Sequence, residues 1–489
     1  MGIEFHINLH EIPKLNFDKK LTKLKSLIRS WNRRILTPIG RINIIKSILV
    51  SQFNHLFISL PNPDYRFISK LNTIFFEFLW NSKVDKVKRD VIVQDYINGG
   101  LKMINIKAFI DSLKLGWIRR LFSSTSKWQA IIKTYVNTDM LIQCGSDYLQ
   151  QCEKKCKNLF WIDVLKACRK FVTSNEVNIN INCINAYLKA PLWFNDKITM
   201  DKKSVFFQDW YKKGVVNIND LIKDHNAGTF YTFQDFTQLY RIRTNFLQYH
   251  SVISAVKKFN PNPVLPMLEI TRPFIPVNFE FFFKHFKGSK HFYNIMIRNN
   301  IVPSGQRKWN SIFDRSNIYW SQVFKLPFIV TNNTKFQWFQ YRINHHILTT
   351  NSLLFKTRMV PSPLCTLCNS EIETIIHILW ECQEVQNLLL SFETLLDTLL
   401  IPFGFNKESF LFGLLTQNVN GKIDNEILIV IKQYIYKMRC LHKSLNLNAL
   451  INTIQDYFNI QRCVAYSKGG MYKERFRNEW LKWEKLIRL

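Results

Sequence analysis

A mainly α, multi-domain helical chain with a small CCHC knuckle near its C-terminal third is what the sequence predicts, on three observations. The 489 residues suffice for more than one hydrophobic core. Over long stretches, apolar residues recur every three or four positions, the period of a helix with one buried face. Three cysteines and a histidine, Cys365, Cys368, His377 and Cys382, crowd into one short segment.

The first third is helical and basic. Leu21, Leu24, Ile28, Trp31 and Ile35 keep helical spacing, while Lys19, Lys20, Lys23, Arg29, Arg33 and Arg34 fall on other faces. Thr37 followed by Pro38 reads as an N-cap and first helical position, opening a second helix through Ile42, Ile45, Ile48 and Leu49. Pro61 and Pro63 break the chain, and Asp64 caps a third helix carrying Phe67, Leu71, Phe75, Phe78 and Trp80. A basic loop (Lys83, Lys86, Lys88, Arg89) leads to a turn at Gly99-Gly100-Leu101, then to a fourth helix through Phe109, Leu113, Trp117 and Leu121. From 126 to 300 aromatics are dense and helical periodicity is patchy. Asn260-Pro-Asn-Pro-Val-Leu-Pro reads as a linker there. Phe279 to Phe283, with Lys284, His285, Lys287 and Lys290, reads as a core element, or less readily as a base-stacking surface. Past the cysteine segment, three amphipathic helices are expected: one from about Glu384, one over Ile427–Cys440, and one closing the chain with Phe476, Trp480, Trp483 and Ile487.

The spacing C-x2-C-x8-H-x4-C of Cys365, Cys368, His377 and Cys382 suits one tetrahedral zinc ion. All four positions are filled by protein atoms, which points to a structural rather than a catalytic zinc. Ser370 and Glu373 form an S-x-x-E pattern, the expected capping box of the helix that carries His377. The alternative is a set of ordinary buried thiols. Of the other cysteines, Cys144, Cys152, Cys156 and Cys168 are too loosely spaced, and too poor in histidine, to favour a second metal cluster. No disulfide framework is evident, which suits a reduced, intracellular setting.

Lys+Arg number 67 against 36 Asp+Glu, a formal net charge of +31. A field of this sign favours polyanions, RNA or DNA foremost. A membrane is not expected as a partner, because the longest apolar run, Leu388 to Ile401, is interrupted by Glu393 and Asp397. Catalytic signatures are missing. There is no Asp-Asp pair, no phosphate-binding loop and no H-E-x-x-H helix, and the lone Pro63-Asp64 dipeptide reads as a helix start. The chain by itself is therefore not expected to be an enzyme.

Taken in order, these features resemble the carboxy-terminal part of a non-LTR (LINE-type) retrotransposon reverse transcriptase polyprotein. The likeness is carried by Leu36-Thr-Pro-Ile-Gly-Arg-Ile-Asn-Ile-Ile-Lys-Ser, Phe78-Leu-Trp-Asn, Gly99-Gly-Leu-Lys, Trp117-Ile-Arg-Arg-Leu and the Cys365-Cys368-His377-Cys382 set. Met1-Gly-Ile-Glu-Phe is similar to the end of the polymerase palm in that family. The resemblance implies four consecutive parts: a thumb-like helical domain with a short palm remnant (1–125), a helical connector (126–300), the zinc-binding region (301–390) and a C-terminal helical domain (391–489). It implies that the palm with its metal-binding carboxylates lies upstream of Met1, so binding is carried over and polymerisation is not. RNA or an RNA–DNA duplex would be held through phosphates by Lys19, Lys23, Arg29, Arg33, Arg34, Arg41 and Lys46, each of which is also readable as a solvated surface charge. The missing palm, or the element's ribonucleoprotein, is the implied protein partner, in the nucleus or the cytoplasm. The competing reading is a helical protein–protein module, either a domesticated scaffold or a subunit completing a polymerase in trans.

Overall fold

Helix ends in this protein are set by short side chains that satisfy the first free amides. Thr37 accepts from the Gly40 amide at 3.3 Å and Pro38 opens the helix Pro38–Ile44. Asp64 accepts from the Phe67 amide at 2.6 Å at the start of Tyr65–Trp80. Both caps stand where the sequence placed them. The computed structural model describes residues 2–123, 126–176, 188, 190–224, 228–259, 288–298, 301–313, 318–414 and 421–489. Among these the fold is mainly helical, as expected. Its strands are two antiparallel hairpins, Thr199–Met200 with Lys203–Ser204 and Ile222–Asp224 with Thr229–Phe230. The Asn260 linker segment and Phe279 to Lys287 lie outside the described residues, while Lys290 falls in the helix Ser289–Met296.

The chain forms two compact units, each built from separated segments. Met1–Leu27, Val50–Asn72 and Asn105–Arg298 make the first, and Ile28–Leu49, Thr73–Ile104 and Asn299–Leu489 the second. The expected connector, 126–300, falls within the first unit up to Arg298, whereas the thumb-like segment 1–125 is shared between the two. The regions 301–390 and 391–489 share one hydrophobic core, running from Trp309 through Cys382, Phe392 and Ile431 to Trp483. The helix Gln383–Thr398 passes straight through residue 390 with Val385, Leu389, Phe392 and Leu396 buried in that core, so no boundary falls there.

In the first unit Phe17, Phe53, Phe57 and Phe67 pack ring against ring, with centroids 5.3 to 6.4 Å apart. The main core gathers Val164, Leu192, Trp193, Trp210, Tyr249 and Phe292. Burying Trp193 is tolerable because its indole N–H donates to the Val215 carbonyl at 2.7 Å. Lys114 is fully buried, donates to the Leu60 carbonyl and lies 4.2 Å from the Phe160 ring centroid. Burial drives its pKa down to about 7, against the pull of Asp163.

The second unit is organised around Gly421–Cys440, expected as an amphipathic helix but buried on nearly every side from Ile423 to Ile431. Its polar residues are answered locally. Asp424 accepts from Trp483 Nε1 at 2.9 Å and Lys482 Nζ at 2.6 Å, and Asn425 bridges the Leu414 and Gly421 carbonyls. Leu447–Lys468, a helix the sequence did not single out, packs on it through Leu450, Ile451, Ile454 and Tyr457. At the Gly99-Gly100 turn, Gly99 has φ of +76°, and a Cβ on Gly100 would sit 1.9 Å from the Gln94 carbonyl oxygen.

Candidate metal centre

The segment from Pro363 folds back on itself before any helix begins. Leu364 and Ile372 form an antiparallel bridge, with the Cys365 amide donating to Glu371 O at 2.8 Å and the Glu373 amide to Pro363 O at 2.9 Å. Between them the chain turns tightly: the Asn369 amide returns to Cys365 O at 2.9 Å, and Asn369 itself takes φ of +55°. The Leu367 amide lies 3.4 Å from Cys365 Sγ, so the turn donates to the sulfur it presents. Thr374 then caps the next turn, accepting from the His377 amide at 3.0 Å. His377–Glu381 winds as a π-turn, in which the Cys382 amide bonds His377 O at 2.9 Å. That i→i+5 closure brings residues five apart towards one side, as the H-x4-C spacing requires. Cys382 is also the residue at which the helix Gln383–Thr398 begins.

These elements bring all four expected ligands together: one donor atom from each of Cys365, Cys368, His377 and Cys382 lies within 4.8 Å of every other. Cys365 Sγ is 3.9 Å from Cys382 Sγ, and Cys368 Sγ is 3.4 Å from His377 Nε2. An ion with bonds of about 2.3 Å to sulfur and 2.0–2.1 Å to nitrogen puts tetrahedral ligands about 3.8 Å (S–S) and 3.5 Å (S–N) apart. The set could therefore hold a metal ion. Cys365, Cys382 and His377 are buried and Cys368 is half-buried. The hydrogen bond shared with Cys365 lowers the Cys382 thiol and raises its partner, as expected where one sulfur takes the charge. Burial opposes ionisation of Cys368, but hydrogen bonds from Ser370 and its neighbours leave it below the usual thiol range.

Glu373 does not form the expected capping box. Its side chain is fully buried and meets Arg439, with Arg439 Nη2 and Nε at 2.5 and 3.0 Å from Oε1. The Asn351 amide donates to the same oxygen at 2.7 Å, and the Thr366 amide and hydroxyl donate to Oε2 at 3.2 and 3.0 Å. Cap duty falls to Thr374 because Glu373 is needed inward, tying the knuckle to the helix Gly421–Cys440. Sequence reasoning missed Arg439 and Asn351, whose links to Glu373 span 66 and 22 positions.

Cys144, Cys152, Cys156 and Cys168 are core thiols of the first unit. Burial raises Cys144 to about 12 and also raises Cys168 and Cys152. Among the described residues, the Cys365 set is the metal-ligating cluster found.

The seven basic residues separate into different surroundings. Lys19 and Lys23, in the first unit, are exposed, and Lys19 is paired with Glu4. In the second unit, Arg29, Arg33, Arg34 and Lys46 are exposed, with Arg34 stacked 4.3 Å from the Trp31 ring centroid. Arg41 is different: it is 5% exposed and donates to Asn32 Oδ1 at 2.8 Å, Phe78 O at 2.7 Å and Asn81 Oδ1 at 3.2 Å. Its guanidinium is committed to holding the fold, which corrects the expectation of a free phosphate contact. Beside it lies a cavity of about 370 Å³ walled by Arg33, Arg34, Lys83, Lys86, Trp80 and Trp338, with no carboxylate in its lining. Nearby Asp85 pairs with Arg89 at 2.7 Å. Burial, and after it the charges of Arg342 and Lys83, depress the Lys86 pKa. The sequence could have signalled this cavity only as two basic runs, 29–34 and 83–89, some fifty positions apart.

No protein-family model matches the chain. Among the described residues, no helix is long and apolar enough to cross a membrane.

Proposed function

We propose that this chain is a nucleic-acid-binding protein that grips RNA or an RNA–DNA duplex by its phosphates. In this reading it corresponds to the carboxy-terminal part of a non-LTR retrotransposon reverse transcriptase and performs no catalysis on its own. The observation that carries the reading is the convergence of Arg33, Arg34, Lys83 and Lys86 on one cavity that no carboxylate lines. Four cations without local counter-charge favour a polyanion, and guanidinium pairs suit phosphate oxygens in particular. Arg29 and Lys46 are also exposed in the second unit, outside the lining of this cavity. Contacts of this kind give affinity with little sequence choice.

Zinc is the metal that three thiolates and an imidazole at these separations suit best. Cys365, Cys368, His377 and Cys382 would hold it in a closed, structural site. When bound, it supplies folding free energy to the knuckle and to the core in which Cys365 and Cys382 are buried.

The test is a titration of the full chain with a short RNA across salt concentration. Four neutralised phosphates predict a plot of log affinity against log salt with a slope of about −3. The pair Arg33→Ala and Arg34→Ala should make that slope shallower by about 1.5. A flat slope, or no binding at low salt, overturns the proposal.

A further inference from the structure

The cavity holds more than charge. Trp338, half-buried, forms part of its wall and packs against Trp80 and Tyr341, with ring centroids 6.0 and 5.4 Å away. Trp80 lines the same space, is 5% exposed, and its indole Nε1 is buried without a hydrogen-bond partner. The volume, about 370 Å³, falls in the range of small-molecule pockets (about 300–1,000 Å³).

We propose, building on the phosphate-binding reading above, that this cavity is a seat for one unpaired nucleotide. Arg33, Arg34, Lys83 and Lys86 take its phosphate, and the indole of Trp338 takes the face of its base, with Trp80 packed behind it. A paired strand offers phosphates but keeps its base faces stacked within the duplex. Only an unpaired nucleotide presents both the anion and the ring that these walls complement. The same chemistry is available from a nucleotide at a strand end or loop and from a free nucleotide.

The experiment compares the full chain with an unstructured single-stranded RNA, a blunt RNA duplex of equal length, and a nucleoside monophosphate as competitor. Trp338→Leu is expected to weaken single-strand binding by roughly 5- to 150-fold, the loss typical of a removed stacking platform, and to leave duplex affinity unchanged. Because Trp338 also packs internally, Trp338→Phe guards against a folding failure. It keeps a ring in place and should give an intermediate loss, again confined to the single strand. Displacement of the strand by the monophosphate assigns the seat to free nucleotides, and its failure assigns it to nucleotides within a strand. Single-strand binding unchanged in Trp338→Phe and Trp338→Leu, or both probes weakened alike, overturns the seat while salt-dependent phosphate binding stands. If the unaltered chain binds neither probe at low salt, the underlying reading falls instead.

Discussion

Replacing Glu373 by glutamine should unseat the metal knuckle from the second unit without touching a metal ligand. The carboxylate is fully buried, and Arg439 is 8% exposed. Glutamine preserves volume but removes the charge and points an N–H2 group at donors, since Arg439, the Asn351 amide and Thr366 all donate to this side chain. Breaking one partner of a buried pair costs about 3–5 kcal/mol, mostly because the surviving charge is left uncompensated. Against a total stability of roughly 5–15 kcal/mol, such a loss is large. Urea unfolding of Glu373→Gln, Arg439→Met and the double variant gives the magnitude. Each single change should cost about 3–4 kcal/mol, and the double should cost clearly less than their sum, because it removes both charges together. A Glu373→Gln protein within about 0.5 kcal/mol of the parent, or strict additivity, refutes the coupling. The pH dependence follows from the same pair. Burial alone would raise the Glu373 carboxyl, but the Arg439 and backbone hydrogen bonds outweigh it and hold it below its ordinary value. With the folded-state value depressed, the stabilisation is complete above the unfolded value of about 4.3 and disappears as pH falls through the folded one. Glu373→Gln should therefore lose less stability on acidification than the parent.

Chelation, or Cys368→Ser, is expected to lower hydrogen-exchange protection in 351–382 first and then through the core that Cys365 and Cys382 share with Phe392 and Ile431, while Leu159–Glu176 in the first unit keeps its protection. Uniform loss along the chain would contradict two separately stabilised units. Gly100→Ala should cost about 3 kcal/mol, since its Cβ cannot share space with the Gln94 carbonyl oxygen 1.9 Å away. Thermal melts of Gly100→Ala beside Gly116→Ala, where nothing lies within 4 Å of the added carbon, would show it, and equal melting temperatures would refute it.

What could be read from the sequence was what short range decides. The Thr37 and Asp64 caps and the Gly99-Gly100 turn depend on neighbours within a few positions and the four clustered ligands on a span of 17, and the structure has them as expected. What escaped depends on partners far along the chain. Glu373 looked like a capping residue because Arg439 lies 66 positions away. Arg41 looked like a surface charge because its acceptors Phe78 and Asn81 are 37 and 40 positions away. The boundary near 390 failed for a related reason: an amphipathic helix shows that one face is buried, not which core it joins. Leu447–Lys468 was overlooked because its fully buried stripe occupies only the first half, Leu450 to Tyr457, and the second half packs more thinly, through the half-buried Phe458 and Ala465.

The interleaving of the two units bears on how the protein is made. Residues 28–49 and 73–104 leave the ribosome well before Asn299–Leu489, which completes the body they belong to. Until then the sides of Pro38–Ile44 and Tyr96–Asn98 that pack on Thr334–Asn344 and Trp320–Val330 have no permanent cover, a state that invites aggregation or chaperone capture during translation. A premature stop anywhere beyond Asn299 would strand those preceding helices as well as delete the following ones, so loss of the later segment would be felt about two hundred positions upstream.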